Sequence, residues 1–212
     1  MTARIGLYGG SFDPIHFGHL ISARAVADAL NLTKIVLIPA ASPPHKLADT
    51  LAPAADRLAM AQLAVRNDPL FEVDDLELHR PGPSFTFDTV TEFRRRLGSQ
   101  AELFWIIGGD TLPELATWHR IPELVGIVAI VTTVRHAAGK PDLSSLASLI
   151  PASDLESLRA NCLETPAIQI SSTDIRNRTG RGRSIRYLTP DPVVVFIDEH
   201  GLYRTLDKPA EQ

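Results

Sequence analysis

The chain has one cysteine, Cys162, among its 212 residues. That excludes an internal disulfide and a zinc site built from four cysteines. The lone thiol reads as an inert, part-buried residue rather than a nucleophile. Long hydrophobic runs are missing too. The longest, GIVAIVTTV at 126–134, falls well short of the roughly 20 residues of a membrane span and fits a buried strand. No basic segment followed by an apolar run opens the chain, so no signal peptide is expected and a cytoplasmic location is. There is no excess of positive charge: 21 Lys and Arg stand against 25 Asp and Glu, a net charge of −4. That argues against binding nucleic acid over a broad basic surface, and any anionic ligand must be met by local positive charge. Internal repeats and low-complexity tracts are absent. With 44% hydrophobic residues, the length is enough for one sizeable core, and residues 1–212 are read as a single domain.

What is present alternates between strand and helix patterns. RIGLY (4–8) reads as a strand. Residues 19–31 carry Leu20, Ala23, Ala27 and Leu30 at helical spacing. KIVLIPA (34–40) is a continuous apolar run, the habit of a strand covered on both faces in a parallel sheet. A helix from Pro53 through Val65, a strand at 71–78, a helix at 86–97 and a strand at 102–109 follow. Strands are expected at 126–134 and, last, at AIQI (167–170). Segment 137–165 reads as a variable connection with room for one helix. VVVFI (193–197) has strand propensity, but Asp191, Pro192 and Gly201 supply a helix start and stop, and a helix is predicted. The sum is an α/β fold with a doubly wound, mainly parallel sheet and C-terminal helices.

The chemistry concentrates where the first strand should hand over to the first helix, in YGGSFDPIHFGHL (8–20). In an open parallel sheet, ligands bind beyond the carboxyl ends of the strands. Gly9 and Gly10 let the backbone approach a ligand, and the helix that follows aims its free N–H groups and positive dipole end at the same place. This suits phosphate, although neither G-x-G-x-x-G nor a Gly-Lys-Ser/Thr loop is present. His16 and His19, three apart, can face one ligand and donate hydrogen bonds to phosphate oxygens. Taken alone they read equally as capping or core residues; a metal pair lacks an evident third ligand. ISSTDIRNR (170–178) tips the balance. Ser171 and Asp174 stand in capping-box spacing, Ser172 and Thr173 add hydroxyls, and Arg176 in the next turn reaches an anion, which capping does not explain. Two helix N-termini rich in phosphate ligands suggest a nucleotide held between them. The arginine-rich run at 176–186 reads as a solvated loop at Arg181 and Arg183, and His200 before Gly201 suits a helix C-terminus.

GGSFDPIHFGHL together with ISSTDIR resembles the nucleotidyltransferase superfamily marked by H-x-G-H and I-S-S-T-x-x-R. PPHK (43–46), RLAM (57–60), SFTFDT (84–89), IIGGDTLPELATWH (106–119) and GRSIRYLTPDPV (182–193) extend the likeness, nearly full length, to the bacterial nicotinate-nucleotide adenylyltransferases. Ser11 stands where threonine is commoner and keeps the hydroxyl. The resemblance implies a Rossmann-like fold and transfer of the adenylyl group of ATP to nicotinate mononucleotide, giving nicotinate adenine dinucleotide and pyrophosphate. It implies catalytic roles for His16, His19 and Arg176. It implies an ATP site of Gly9, Gly10, Ser11, Phe12, His16, His19, Gly108, Asp110, Ser172, Thr173 and Arg176. His45, Lys46, Thr86, Trp118 and Arg135 would meet the mononucleotide, with Trp118 stacking on the pyridine ring; on spacing alone that tryptophan would be core. The expected cofactor is Mg²⁺ carried by ATP rather than by protein side chains, and the expected partners are these two small molecules, not nucleic acid or membrane. Phosphopantetheine adenylyltransferase, which shares both end motifs, and a nucleotide-sensing module without turnover are the alternatives.

Overall fold

The computed structural model describes residues 2–43, 51–135 and 142–204, and of Arg135 the backbone only. The elements follow in the order β1 (Arg4–Gly10), α1 (Phe17–Leu30), β2 (Lys34–Pro39), α2 (Ala54–Val65), β3 (Phe71–Val73), α3 (Thr86–Leu97), β4 (Glu102–Gly108), α4 (Ile121–Val125), β5 (Ala129–Arg135), α5 (Ala152–Ala160), β6 (Cys162–Thr165), α6 (Ser172–Gly180) and α7 (Asp191–Glu199). The connections carry 3₁₀ turns at Leu76–His79, Leu112–Thr117 and Ser144–Leu146.

All six strands are parallel, in the order β3-β2-β1-β4-β5-β6. The chain builds outward from β1 on one side, then returns to lay β4 against its other edge. The order therefore reverses between β1 and β4, and a crevice opens above their carboxyl ends. The continuous apolar runs of β2 and β4 have a simple cause: alternate side chains feed two separate cores. Leu7, Val36, Ile38, Leu103 and Ile107 face one core, closed by α3 (Val90, Phe93), α4 (Ile121, Leu124) and α5 (Leu155, Leu158). Ile35, Leu37, Phe104 and Ile106 face the other, closed by α1 (Ala23, Val26), α2 (Met60, Ala61), α6 (Ile175) and α7 (Val193, Ile197). Each such aliphatic side chain contributes roughly 1.5–3 kcal/mol when fully buried, so sheet and helices hold one another in place. Among the described residues no helix is long and apolar enough to cross a membrane.

Three strand expectations are corrected. The strand expected over 71–78 stops at Val73, because the Asp74 carboxylate accepts the Leu76 N–H (2.9 Å) and pairs with Arg96 (2.8 Å), turning the chain into a 3₁₀ turn. The strand expected from Gly126 begins at Ala129; α4 and the turn closing it, with the Ile127 and Val128 N–H groups donating to Leu124 O, occupy the preceding residues. The last strand is not AIQI at 167–170. It is Cys162–Thr165, paired with β5 from Thr132↔Cys162 to Arg135↔Thr165. Pro166 follows with no N–H to extend the ladder, and the apolar residues beyond it run irregularly to α6. The predicted helix at the C-terminus is present as α7, with Pro190 rather than Asp191 at its cap, and segment 137–165 holds α5.

Candidate active site

A cleft of about 1080 Å³ lies at the crevice between β1 and β4. It brings together the first strand–helix turn (Gly9, Gly10, Ser11, Phe12, His16, His19), the end of β4 (Gly108, Asp110), the start of α6 (Ser172, Thr173, Arg176) and, farther along, Thr86 and Trp118. Every expected site residue whose side chain is described therefore lines one cavity. His45 and Lys46 lie outside the described residues. Arg135 ends β5, and its side chain is likewise outside them.

The glycines are explained by contact. A Cβ on Gly9 would stand 2.5 Å from Cζ2 of Trp105, whose ring fills the space beneath the loop. A Cβ on Gly18 would meet His16 Nδ1 at 2.9 Å, so this glycine between the two histidines makes room for the first. Phe12 sits at φ 44°, a left-handed conformation that is costly for a bulky residue. Its buried ring packs edge-on against Tyr8 and His19, supporting the histidine from below.

The two imidazoles are stacked, ring centres 3.7 Å apart and planes 21° from parallel. His16 caps α1, and its backbone N–H donates to His19 Nδ1 (3.3 Å). A neutral His19 so engaged carries its proton on Nε2. His16 is buried, and burial lowers its pKa to about 4, so the free site holds it neutral near pH 7. Its Nδ1 is buried with no protein partner. Of the seven described α-helices, α1 alone has no carboxylate in its first turn, which leaves its positive end uncompensated beneath the histidines.

On the opposite wall, Ser171 caps α6 by accepting from the Asp174 N–H (3.1 Å). Ser172 Oγ donates to Pro14 O (2.9 Å), tying α6 to the first loop. Arg176 Nη1 donates to Asp13 O (2.7 Å) and lies 3.4 Å from Asp13 Oδ2, and Nη2 donates to Thr173 Oγ1 (3.2 Å). Asp13 is fully buried and also accepts from Tyr203 OH (2.8 Å) and the Ala52 N–H (3.1 Å). Arg57, buried nearby, donates to Ser11 O and Ala40 O (both 2.7 Å) and to Ala52 O (2.9 Å). Burial lowers its pKa and the charge of Asp13 opposes that. Two guanidiniums thus lie in the field of one buried carboxylate, Arg176 as its ion-pair partner and Arg57 bonded only to backbone carbonyls. The surplus is the local positive charge that a chain of net charge −4 needs at an anion site.

The other end of the cleft is assembled from short pieces. Thr86 opens α3, whose cap carries no side-chain hydrogen bond, leaving first-turn N–H groups for a ligand. Trp118 follows the 3₁₀ turn Leu112–Thr117, packs against the first core and still lines the cleft, so the core and ligand readings of this residue hold together. Its buried Nε1–H has no protein partner. Asp110 is exposed at the rim, a place where it could accept ribose hydroxyls. Glu77 also lines this end. It accepts from Thr89 Oγ1 (2.6 Å), and burial raises its pKa.

Sequence reasoning passed over Asp13, Arg57, Tyr203 and Glu77 as site residues. Asp13 and Arg57 sit inside two of the motifs quoted above, where a buried-charge reading of the aspartate and of an arginine on an apolar helix would have paired them. Tyr203 carried no local signal. Arg181 and Arg183 are exposed, as expected, and His200 Nδ1 lies 2.9 Å from Phe196 O at the end of α7. Cys162 is half-buried, and burial raises its thiol pKa.

The cytidylyltransferase-like family model matches residues 7–178. Proteins carrying the name probable nicotinate-nucleotide adenylyltransferase are similar over nearly the whole chain. That of Thermomicrobium roseum is 40% identical over 97% of this chain and 94% of its own, and that of Thermus thermophilus 45% identical over 95% and 100%. In fold, the chain resembles Plasmodium falciparum nicotinic acid mononucleotide adenylyltransferase, solved in complex with NaAD, at a TM-score of 0.70 and 20% identity over 95% of this chain and 97% of that one.

Proposed function

The chain belongs to the cytidylyltransferase-like family and, within it, to the nicotinate-nucleotide adenylyltransferases, and we propose that its cleft carries out the reaction of that name as follows. ATP and nicotinate mononucleotide enter opposite ends. A phosphate oxygen of the mononucleotide attacks the α-phosphorus of ATP, the bond from that phosphorus to the β-phosphate bridging oxygen breaks, and pyrophosphate leaves with the electron pair. A phosphate monoester, with a second pKa near 6, is already largely dianionic at pH 7. No general base is required, and the work is positioning and charge stabilisation.

The residues suit that work. His19 Nε2–H and the orphaned His16 ring face the transferring group. Gly9, Gly10 and Ser11 offer close backbone. Ser172, Thr173 and Arg176 hold the triphosphate from the other wall, and Gly108 and Asp110 meet its ribose. Such preorganised donors act without reorganisation in the transition state. Thr86 and Trp118 receive the nicotinate end, with Lys46 and Arg135 assigned to the mononucleotide phosphate and His45 to the mononucleotide. Enzymes of this kind need a divalent metal. Among the described residues no group of three His, Cys, Asp or Glu side chains forms a metal site, and Asp13 is already engaged by Arg176 and Tyr203. In our reading the cation is Mg²⁺, entering as part of the substrate Mg·ATP. We take residues 1–212 as one catalytic unit acting in the cytoplasm.

The observation that carries this reading is the meeting of both histidines and Arg176 in one cleft at the sheet's reversal point. The test is a panel of acceptors with Mg·ATP, following dinucleotide and pyrophosphate together. Nicotinate mononucleotide is expected to give the two in equal amounts. Turnover of phosphopantetheine in its place, or nucleotide binding with no pyrophosphate released from any acceptor, would replace the reading.

A further inference from the structure

From the linked contacts of Tyr203, Asp13 and Arg176, a hydrogen bond to one carboxylate oxygen and an ion pair to the other, we infer that Tyr203, contributed by the C-terminal segment, is a positioning residue for the ATP-binding arginine. The inference rests on the ATP site proposed above and adds a part of the chain that lies outside both end motifs.

The geometry is directional. Asp13 has two carboxylate oxygens and no solvent. Oδ1 accepts from Tyr203 OH at 2.8 Å and from the Ala52 N–H at 3.1 Å, while Oδ2 faces Arg176 at 3.4 Å. The hydroxyl and the arginine therefore pull on opposite oxygens of one group, and the position of one sets the aim of the other. Arg176 makes its remaining bonds to Asp13 O and Thr173 Oγ1, so its guanidinium is fastened along one edge and keeps the rest for a ligand.

The backbone is bent to bring the phenol there. Gly201, at φ 60°, ends α7, and the Leu202 N–H returns to Ile197 O (3.0 Å), the turn that closes many helices. Tyr203 itself sits at φ 61°, where an aromatic side chain is strained. Strain of this kind persists where surrounding contacts fix it, and the Asp13 bond is such a contact. The phenol remains protonated and a donor: burial and the neighbouring carboxylate both push its pKa up. A donor of this kind holds Asp13 Oδ1 in place and so orients the carboxylate that Arg176 faces.

A merely structural tyrosine and a positioning one separate in kinetics. Tyr203→Phe removes one oxygen and keeps the ring. The wild-type protein is first shown to convert Mg·ATP and nicotinate mononucleotide, so that failure of the assigned reaction is seen before the variants are compared. KM for ATP in Tyr203→Phe is then expected to rise about five- to tenfold, with KM for the mononucleotide within about twofold, since a hydrogen bond to a charged group is lost on the ATP side only. In an Arg176→Lys background the same substitution is expected to add almost nothing, because the forked contacts it aims are already gone. Asp13→Asn, which keeps an acceptor for Tyr203 but removes the charge facing Arg176, is the second arm and should reproduce the ATP-specific loss. Three results would overturn the proposal: an unchanged KM for ATP in Tyr203→Phe, equal rises for both substrates, or effects of Tyr203→Phe and Arg176→Lys that multiply independently.

Discussion

The two ends of the cleft are built in different ways. The donor end stands on the termini of β1, α1 and α6, and is laced together across the chain: Ser172 to Pro14, Arg176 to Asp13, Tyr203 to Asp13 and Arg57 to Ser11. Asp13 and Arg57 are buried there, and Arg176 is part-buried. The acceptor end stands on the uncapped start of α3 and on a 3₁₀ turn, and it offers an unpaired indole N–H. The lesson is one of tolerance. Where phosphorus changes partners, misplaced donors cost rate directly, and there the buried Asp13 is tied to both Tyr203 and Arg176. Where a ring and a carboxylate are merely recognised, local pieces suffice, and selectivity is won by hydrogen bonds made or left unmade.

That contrast is broken most severely at the histidines. His19→Ala removes the Nε2–H donor and is expected to lower kcat by about 10²–10³ in a protein that still folds, the loss typical of one transition-state donor; steady-state kinetics beside a thermal melt will read both. Arg176→Ala comes next, with KM for ATP raised far more than KM for the mononucleotide and only partial recovery in Arg176→Lys. A shift confined to the mononucleotide would exchange the two ends.

A pH experiment sharpens the point that donor-end groups are held by burial. An unfolded His16 titrates near 6.5 and the folded one near 4, so between those values the unfolded chain binds the extra proton. Stability from this source is therefore fully present above about pH 6.5 and is lost as the pH falls toward 4, by up to roughly 3 kcal/mol. His16→Gln should flatten that part of the wild-type melting profile. Parallel profiles would mean that His16 is not held neutral.

The smallest effects belong to the acceptor end. Nicotinamide mononucleotide would present an NH₂ to at least one N–H donor that nicotinate satisfies, costing about 1–3 kcal/mol, or about ten- to a hundredfold in kcat/KM. Trp118→Ala should weaken both mononucleotides about three- to tenfold through lost stacking and change their ratio much less. A large change in the ratio would make Trp118 itself the selector.

The same contrast governs what could be read from residues alone. The convergence of the donor end on one cleft was legible because its residues follow strand and helix termini in short runs, GGSFDPIHFGH and ISSTDIR, and α3 was legible to the residue because Val90, Phe93 and Leu97 recur on one face. What escaped were long-range partners. Nothing near Tyr203 says that it meets Asp13, and nothing in CLET marks an edge strand, because β6 is fixed by the neighbouring β5 rather than by its own propensity. Tertiary context also overruled the apolar AIQI, which Pro166 separates from the ladder.

The most direct measurement of the central claim, that one cleft holds both reactants and stabilises the transferring group through His16, His19 and Arg176, is single-turnover formation of nicotinate adenine dinucleotide from saturating Mg·ATP and nicotinate mononucleotide, wild type against His19→Ala. The account predicts rapid dinucleotide formation matched by pyrophosphate in the wild type, and a rate lower by about 10²–10³ in the folded variant. Equal single-turnover rates in the two proteins would contradict it.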